Sequence, residues 1–368
     1  MNKGYKKQKE AAMKELSVEI VSSKAKFFCG IDFHKNTSTF CVLSGNGDVI
    51  EKPTTIRTAK LVSFFSNRKE YHIGIESTGG ANDIVEKLKS SGHKVTLIDT
   101  VKFKAIGIGG KKTDDKDARA IAEILRLNYL PEVFHKSIKS RRIKSLLVHR
   151  EHLVHTKVNA VNHTRGMLRE YGITMPAGID MFWKNASVRI NELEDPILKQ
   201  DLQWLYEQAK SIDTQIKMID GQINNLGEDD LRVTKLKTIP GFGPIISLLM
   251  LAIIDDVNRF EDAKKFGSYL GLTPREFSSG GKRRLGAITR SGPEMLRRYL
   301  IHGARAVLMH TTDQTIDPNR KWALKLKDKA GMNKATVALA HRMSRIAFAM
   351  LRDGTSYMEK NTLEKVAS

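Results

Sequence analysis

The chain of 368 residues carries 62 Lys and Arg against 41 Asp and Glu, a formal charge of +21. Its 40% hydrophobic and 7% aromatic content exclude a disordered polymer and leave room for two or three cored domains. The cations run along the whole chain, which disfavours a cationic partner and points to nucleic acid touched by several domains. A basic ribosome-associated or membrane-surface protein is the competing reading.

The two cysteines, Cys29 and Cys41, lie in apolar runs and are expected as buried free thiols of a reducing compartment. No Cys/His spacing suggests zinc. The first 14 residues are lysine-rich with no apolar stretch behind them, and the longest apolar run, 245–254, is too short for a bilayer. The expectation is a cytoplasmic protein without a membrane partner.

Residues 1–24 read as a basic, mobile lead. Then Lys26-Phe27-Phe28-Cys29-Gly30-Ile31-Asp32 reads as a buried strand ending in an acid. A second strand over 37–43 and the turn Gly45-Asn46-Gly47-Asp48 lead into a third over 49–56. A helix over 61–66, a strand over 71–76 again ending in an acid, a helix over 81–90 and a strand over 94–98 follow. Three meandering strands and then alternating helix and strand predict a mixed sheet covered by helices, an α/β domain over 25–135.

Asp32 and Glu76 fall at the ends of two strands able to neighbour each other. Lys112-Thr113-Asp114-Asp115-Lys116-Asp117-Ala118 opens a helix to about Leu127, with Asp114 and Asp117 on one face of its first turn. Four carboxylates converging there would hold a hard divalent cation through oxygen, Mg²⁺ best and Mn²⁺ as the alternative. Each acid also has a plain structural explanation, since helix starts and turns favour acids. Asp99 and Asp115 are competitors; Asp115 would point away from Asp114 and Asp117.

Residues 139–171 show a long helical pattern, with apolar pairs such as Leu146/Leu147 and Leu153/Val154 every seven residues and Arg141, Arg142, Arg150, Lys157, Arg165 and Arg169 between them. Gly172 to Gly178 breaks it. From near Pro196, Leu198, Leu202, Leu205, Ala209, Ile212, Ile216, Ile219, Ile223 and Leu226 form a sustained heptad. A coiled-coil domain over 136–230 is expected, paired within the chain or between chains as a dimer contact, with the basic helix suited to phosphate.

The remainder, 231–355 before a tail over 356–368, is mostly helical. Thr238-Ile239-Pro240-Gly241-Phe242-Gly243-Pro244 resembles the turn of a helix-hairpin-helix, where the amides at Gly241 and Gly243 and the following helix start can hold a backbone phosphate. Helices are expected over 260–270, 293–309, 322–330 and 334–351. Between the first two stands Phe277-Ser278-Ser279-Gly280-Gly281-Lys282-Arg283-Arg284. Hydroxyls beside permissive backbone and three cations suit attack on a phosphodiester, the cations Lys282, Arg283 and Arg284 holding the phosphate. An ordinary loop is the plainer alternative.

Taken together these motifs resemble the DEDD-motif transposases of bacterial insertion sequences (the insertion-sequence one-ten family), relatives of the Piv-type DNA invertases. Ile31-Asp32, Ile75-Glu76 and Asp114-x-x-Asp117-Ala118 match that family's four acids in order. Ile239-Pro240-Gly241-Phe242-Gly243, Gly271-Leu272-Thr273-Pro274 and Ser278-Ser279-Gly280-Gly281-Lys282 match its C-terminal domain. The resemblance implies a RuvC-like, ribonuclease-H-type N-terminal domain, a coiled-coil insertion and a C-terminal transposase domain carrying a serine nucleophile. It also implies double-stranded donor and target DNA, a structured guide RNA, and tetramers in which acidic and serine domains of different protomers share a site.

On this reading Asp32, Glu76, Asp114 and Asp117 hold the cation against a scissile phosphate. Ser279 attacks it; Ser279 is preferred to Ser278 because the family's more regular feature is the serine directly before Gly-Gly. Two alternatives stay open: a metal-dependent nuclease or junction resolvase without a covalent step, and a non-catalytic basic nucleic-acid-binding scaffold.

Overall fold

The computed structural model describes residues 27–68, 70–99, 113–129, 132–278 and 284–357. The basic lead, most of the tail and the stretch Ser279-Gly280-Gly281-Lys282-Arg283 lie outside the described residues. The chain divides between His135 and Lys136 into two compact units.

The first unit is a six-stranded mixed sheet. β1 (Phe27–Phe33), β2 (Thr37–Ser44) and β3 (Val49–Arg57) form an antiparallel meander. The turn of its second hairpin, between β2 and β3, is shaped by Gly47, at φ +94°. After α1 (Leu61–Ser66), β4 (His72–Glu76) joins β1 in parallel; after α2 (Ala81–Ser90), β5 (Lys94–Ile98) joins β4 in parallel. The two-residue β6 (Glu132–Val133) closes the order β3-β2-β1-β4-β5-β6. It is too short to carry a pattern, and the sequence gives no sign of it.

Side-chain alternation sets the layers. Cys29, Ile31, Phe40, Val42, Ile73 and Ile75 point to one face, where Leu61 and Phe65 of α1 and Val85 and Leu88 of α2 complete the core. On the other face α3 (Asp114–Arg126) lays Ala118, Ile121, Ala122 and Leu125 on the sheet. Two strand glycines make this contact close. A Cβ on Gly30 would stand 2.1 Å from the Ala118 carbonyl oxygen and 2.4 Å from the Ala122 nitrogen; one on Gly74 would press on Ile121 and Ile98.

The second unit is helical. The expected long helices are α4 (Ile138–Glu170) and α6 (Pro196–Glu228), and they pair antiparallel within the chain. Lys157 reaches Asp213 at 2.8 Å and Arg150 reaches Asp220 at 3.1 Å, so residue numbers fall on one helix as they rise on the other. Most of the heptad seam is buried; Leu205 is half-buried and Leu226 is exposed. Between them lies α5 (Ile179–Asn191), unforeseen behind the Gly172–Gly178 break, which buries Phe182, Ala186 and Ile190 against the pair.

The remaining helices surround α8 (Pro244–Ile254), buried on all sides from Ile246 to Ile254 and preceded by the short α7 (Leu231–Leu236). The 245–254 run is thus a core helix, and no helix among the described residues is long and apolar enough to cross a membrane. α9 spans Ala263–Tyr269 and not 260–270, because the Asp262 carboxylate accepts from the Lys264 and Lys265 N–H groups and fixes the start. α10 (Glu294–Met309), α11 (Pro318–Ala330, capped by Asp317) and α12 (Met332–Asp353) complete the layer. Between α9 and α10 stands an unforeseen hairpin, β7 (Pro274–Glu276) and β8 (Leu285–Ile288).

Candidate functional site

The acids of the first unit take their places from the sheet register. Gly30 lies opposite Gly74 and Ile31 opposite Ile75, so Asp32 and Glu76 come next on adjacent parallel strands. Each acid shares the face of the glycine two residues before it, the face covered by α3. On α3, Asp114 and Asp117 stand four residues before Ala118 and Ile121. They therefore continue the sheet-facing stripe beyond the packed turns.

Asp32, 5% exposed, lies under the opening turn of this helix. Burial pushes its carboxyl up from the ordinary range; His34 pulls it down, and the charges of Asp114 and Asp117 push it up again. Donor atoms of Asp32, His34 and Asp114 all lie within 4.8 Å of one another. His34 Nε2 is 3.3 Å from Asp32 Oδ2. Asp115 turns to the β2 side, where its charge acts on Cys41. Asp99 follows β5, one strand beyond β4.

Two ligands at right angles on a small divalent ion, each about 2.1 Å away, stand about 3 Å apart, and opposite ligands about 4 Å apart. The 3.3 Å between His34 Nε2 and Asp32 Oδ2 is close to the first value and Asp114 stands within 4.8 Å of both, and carboxylates brought together in a partly buried place are what a cation relieves. The residues present therefore fit a divalent cation. His34 is the member that reading by acid motif missed; the available signal was its place two residues after Asp32, on the same side of a nearly extended chain.

In the second unit the β7–β8 hairpin carries the serine loop. Phe277 N–H donates to the Arg284 carbonyl at 2.9 Å, and Arg284 N–H donates to Ser278 Oγ at 3.1 Å. Ser278 Oγ in turn donates to a Glu276 carboxylate oxygen at 2.6 Å. The Ser278 hydroxyl thus closes the mouth of the loop. Ser279, Lys282 and Arg283 lie outside the described residues; Arg284 is exposed at the loop's return.

The hairpin's foot is tightly held. Gly271 (φ +67°) and Gly292 (φ +72°) meet the backbone of Ser291 and Tyr269, with room for no side chain. The buried Arg297 of α10 donates to the carbonyls of Leu270 (3.2 Å) and Ser291 (2.7 Å).

Of the two turn glycines, Gly241 (φ +84°) presses on Gly303 of α10, where a Cβ would come within 2.8 Å of the carbonyl oxygen. Gly243 caps α8 with open space around it. Two open grooves of the second unit are basic. One, of about 640 Å³, is lined by Arg141, Arg142 and His149 on α4; the other, of about 700 Å³, by Trp322, His341, Arg342 and Arg345.

Comparison with known proteins accounts for both halves. Residues 29–173 match a transposase family model of the IS110 DEDD type, and residues 233–318 match the transposase IS116/IS110/IS902 family. The transposase for insertion sequence element IS1111A of Coxiella burnetii is 30% identical over 331 residues, 89% of this chain and 90% of that protein. A putative transposase of Sinorhizobium fredii is 31% identical over 301 residues, 82% of this chain and 78% of the other. The pilin gene-inverting protein of Moraxella lacunata is 25% identical over 349 residues, covering 90% and 98%.

Proposed function

As this chain belongs to the IS110/IS116/IS902 transposase family and is a DNA transposase or recombinase, we propose that it cuts and rejoins DNA through a divalent-cation site and a serine nucleophile. The observation that carries this is the convergence of Asp32 and Asp114, with Asp117 beside them, at the end of a strand adjoining the one that bears Glu76. Three antiparallel strands followed by two parallel ones support a RuvC-like, ribonuclease-H-type reading of the first unit. The seam of α6 against α4 supports a coiled-coil arm, and the family match over residues 233–318 supports reading the segment after it as the transposase domain.

Asp32, Glu76, Asp114 and Asp117 would hold Mg²⁺ or Mn²⁺. The bound cation supplies charge neutralisation at the phosphate being cleaved. Asp32, sunk beneath the helix start, fixes the site's depth, with Asp117 half-buried beside it, while the exposed Asp114 meets a DNA strand. Ser279 Oγ forms a bond to phosphorus as a phosphorus–oxygen bond to the sugar breaks. The hydroxyl proton passes to solvent and the departing sugar oxygen takes one up. Lys282, Arg283 and Arg284 hold the phosphate. Engagement of the Ser278 hydroxyl in the loop mouth supports its neighbour as nucleophile.

Double-stranded DNA is the substrate in this reading. The guide RNA, the tetramer, phosphate binding at the Gly241 and Gly243 amides and a cytoplasmic setting are further parts of the proposal, drawn from the resemblance and the basic surface. The test is covalent trapping on a nicked DNA substrate with Mg²⁺, read by denaturing gel and mass spectrometry. Wild type and Ser278→Ala should give a protein–DNA adduct, while Ser279→Ala and Asp32→Asn should not. Mg²⁺-dependent cutting that persists in Ser279→Ala would refute the covalent step and leave a metal nuclease.

A further inference from the structure

We propose that His34 is a direct imidazole ligand of the cation held by Asp32 and Asp114, and that this nitrogen makes the site favour Mn²⁺ over Mg²⁺. The inference rests on the cation-site reading above and adds a ligand that the four-acid motif does not contain.

Three observations carry it. His34 Nε2 and Asp32 Oδ2 are 3.3 Å apart, close to the separation of adjacent ligands on one small ion, and Asp114 offers an oxygen within 4.8 Å of both. The backbone that bears the imidazole is fixed: the Thr58 hydroxyl donates to the His34 carbonyl at 2.8 Å, and the buried Ser38 hydroxyl lies 2.8 Å from Thr58 Oγ1. This ties the loop after β1 to β2 and to the end of β3, so the imidazole approaches Asp32 from anchored chain. Third, the ring is more than half exposed while Asp32 is buried, so a cation arriving from solvent meets the nitrogen on its way to the inner carboxylate.

A cation bound there takes the lone pair of Nε2 on the neutral ring, whose proton then sits on Nδ1. Nothing is oxidised or reduced. Carboxylate oxygen serves Mg²⁺ and Mn²⁺ alike, whereas imidazole nitrogen suits transition ions and gains little with Mg²⁺, which gives up its water reluctantly. One nitrogen among oxygens therefore shifts preference without closing the site to Mg²⁺.

The test uses the full-length chain titrated with Mn²⁺ and followed by electron paramagnetic resonance, with electron spin-echo modulation reading directly coordinated ¹⁴N. Wild type should bind Mn²⁺ with a nitrogen coupling that His34→Gln removes. His34→Gln and His34→Ala should weaken Mn²⁺ at least about tenfold, the loss that even a residue supporting a ligand from outside produces, and weaken Mg²⁺, measured by competition, far less. Binding lost in Asp114→Ala assigns the signal to this site. Mn²⁺ bound at the carboxylates without nitrogen coupling, or equal losses for both ions, would overturn the imidazole ligand and leave the acidic site standing. No Mn²⁺ binding, or binding indifferent to both Asp32→Asn and Asp114→Ala, would sink the acidic site as well.

Discussion

A site built from crowded like charges should weaken the fold that holds it, and Asp32→Asn measures by how much. Oxygens of Asp32 and Asp114 lie within 4.8 Å. Two unit charges at about that distance repel by about 3 kcal/mol at an effective dielectric near 20, and by about 1 kcal/mol in water. Asp114 is exposed, so screening draws the value towards the lower figure. Burial of Asp32 is the largest cost and has the same sign, while the neighbouring His34 offsets part of the sum. Without divalent cations at neutral pH, Asp32→Asn should therefore raise stability by roughly 1–2 kcal/mol, a rise in Tm on the order of 5 °C.

The pH dependence follows from the direction of the shift. Asp32 titrates above its unfolded value, so its stabilising contribution is present below an unfolded pKa of about 3.9 and is lost as pH rises through the folded value. Wild type and variant should converge as pH falls. Added Mn²⁺ should reverse their order: at 100 times its dissociation constant it stabilises wild type by about 2.7 kcal/mol and the variant far less. The assay is thermal and urea unfolding in chelator and in Mn²⁺, at several pH values. A lower Tm for Asp32→Asn in chelator, or an undiminished response to Mn²⁺, would refute the reasoning.

Three further outcomes are expected. Gly30→Ala drives a methyl into the α3 backbone and should cost about 1–3 kcal/mol or more in urea unfolding; it should also weaken Mn²⁺ binding, because α3 carries Asp114. The pKa of His72, buried in the sheet beside Thr96, is lowered to about 4 by burial and then by Lys94. The unfolded chain therefore takes up its proton first, and stability should fall as pH drops from about 6.5 towards 4 by about 3 kcal/mol, a loss that His72→Gln flattens. Arg297→Ala removes the Nη1 group that donates to the Leu270 and Ser291 carbonyls at the hairpin foot; it should cost about 2 kcal/mol and speed limited proteolysis of the hairpin.

Where burial dictates the residues, the pattern is readable. The central strands β1, β2, β4 and β5 and the all-round buried α8 read as largely apolar runs, and α3 as a one-sided stripe. The β7–β8 hairpin was opaque because it packs neither face: Pro274, Arg275 and Glu276 are exposed, and Leu285 is nearly half so. The heptad of α6 was visible, but its partner was not. Antiparallel pairing within the chain is marked by contacts such as Lys157–Asp213, between residues too far apart in sequence for local pattern to connect. His34 escaped notice because a histidine among lysines and threonines has no periodicity; only the placement of Asp32 gives it meaning.

The acids themselves were legible for a deeper reason. Gly30-Ile31-Asp32 and Gly74-Ile75-Glu76 are the same pattern written twice, and the sheet sets them in register. In each, isoleucine fills the core under α1 and α2, glycine lets α3 approach the other face, and the acid follows where that face runs out. A slip of one residue in either strand would thrust its acid into the apolar core and its isoleucine against α3, a cost far above the repulsion among the carboxylates. The apolar packing that closes the first unit thus also aligns Asp32 with Glu76. The alignment survives unfavourable electrostatics because the force that imposes it is the larger one, and substitutions at Ile31 or Ile75 would act on the acids by loosening that register.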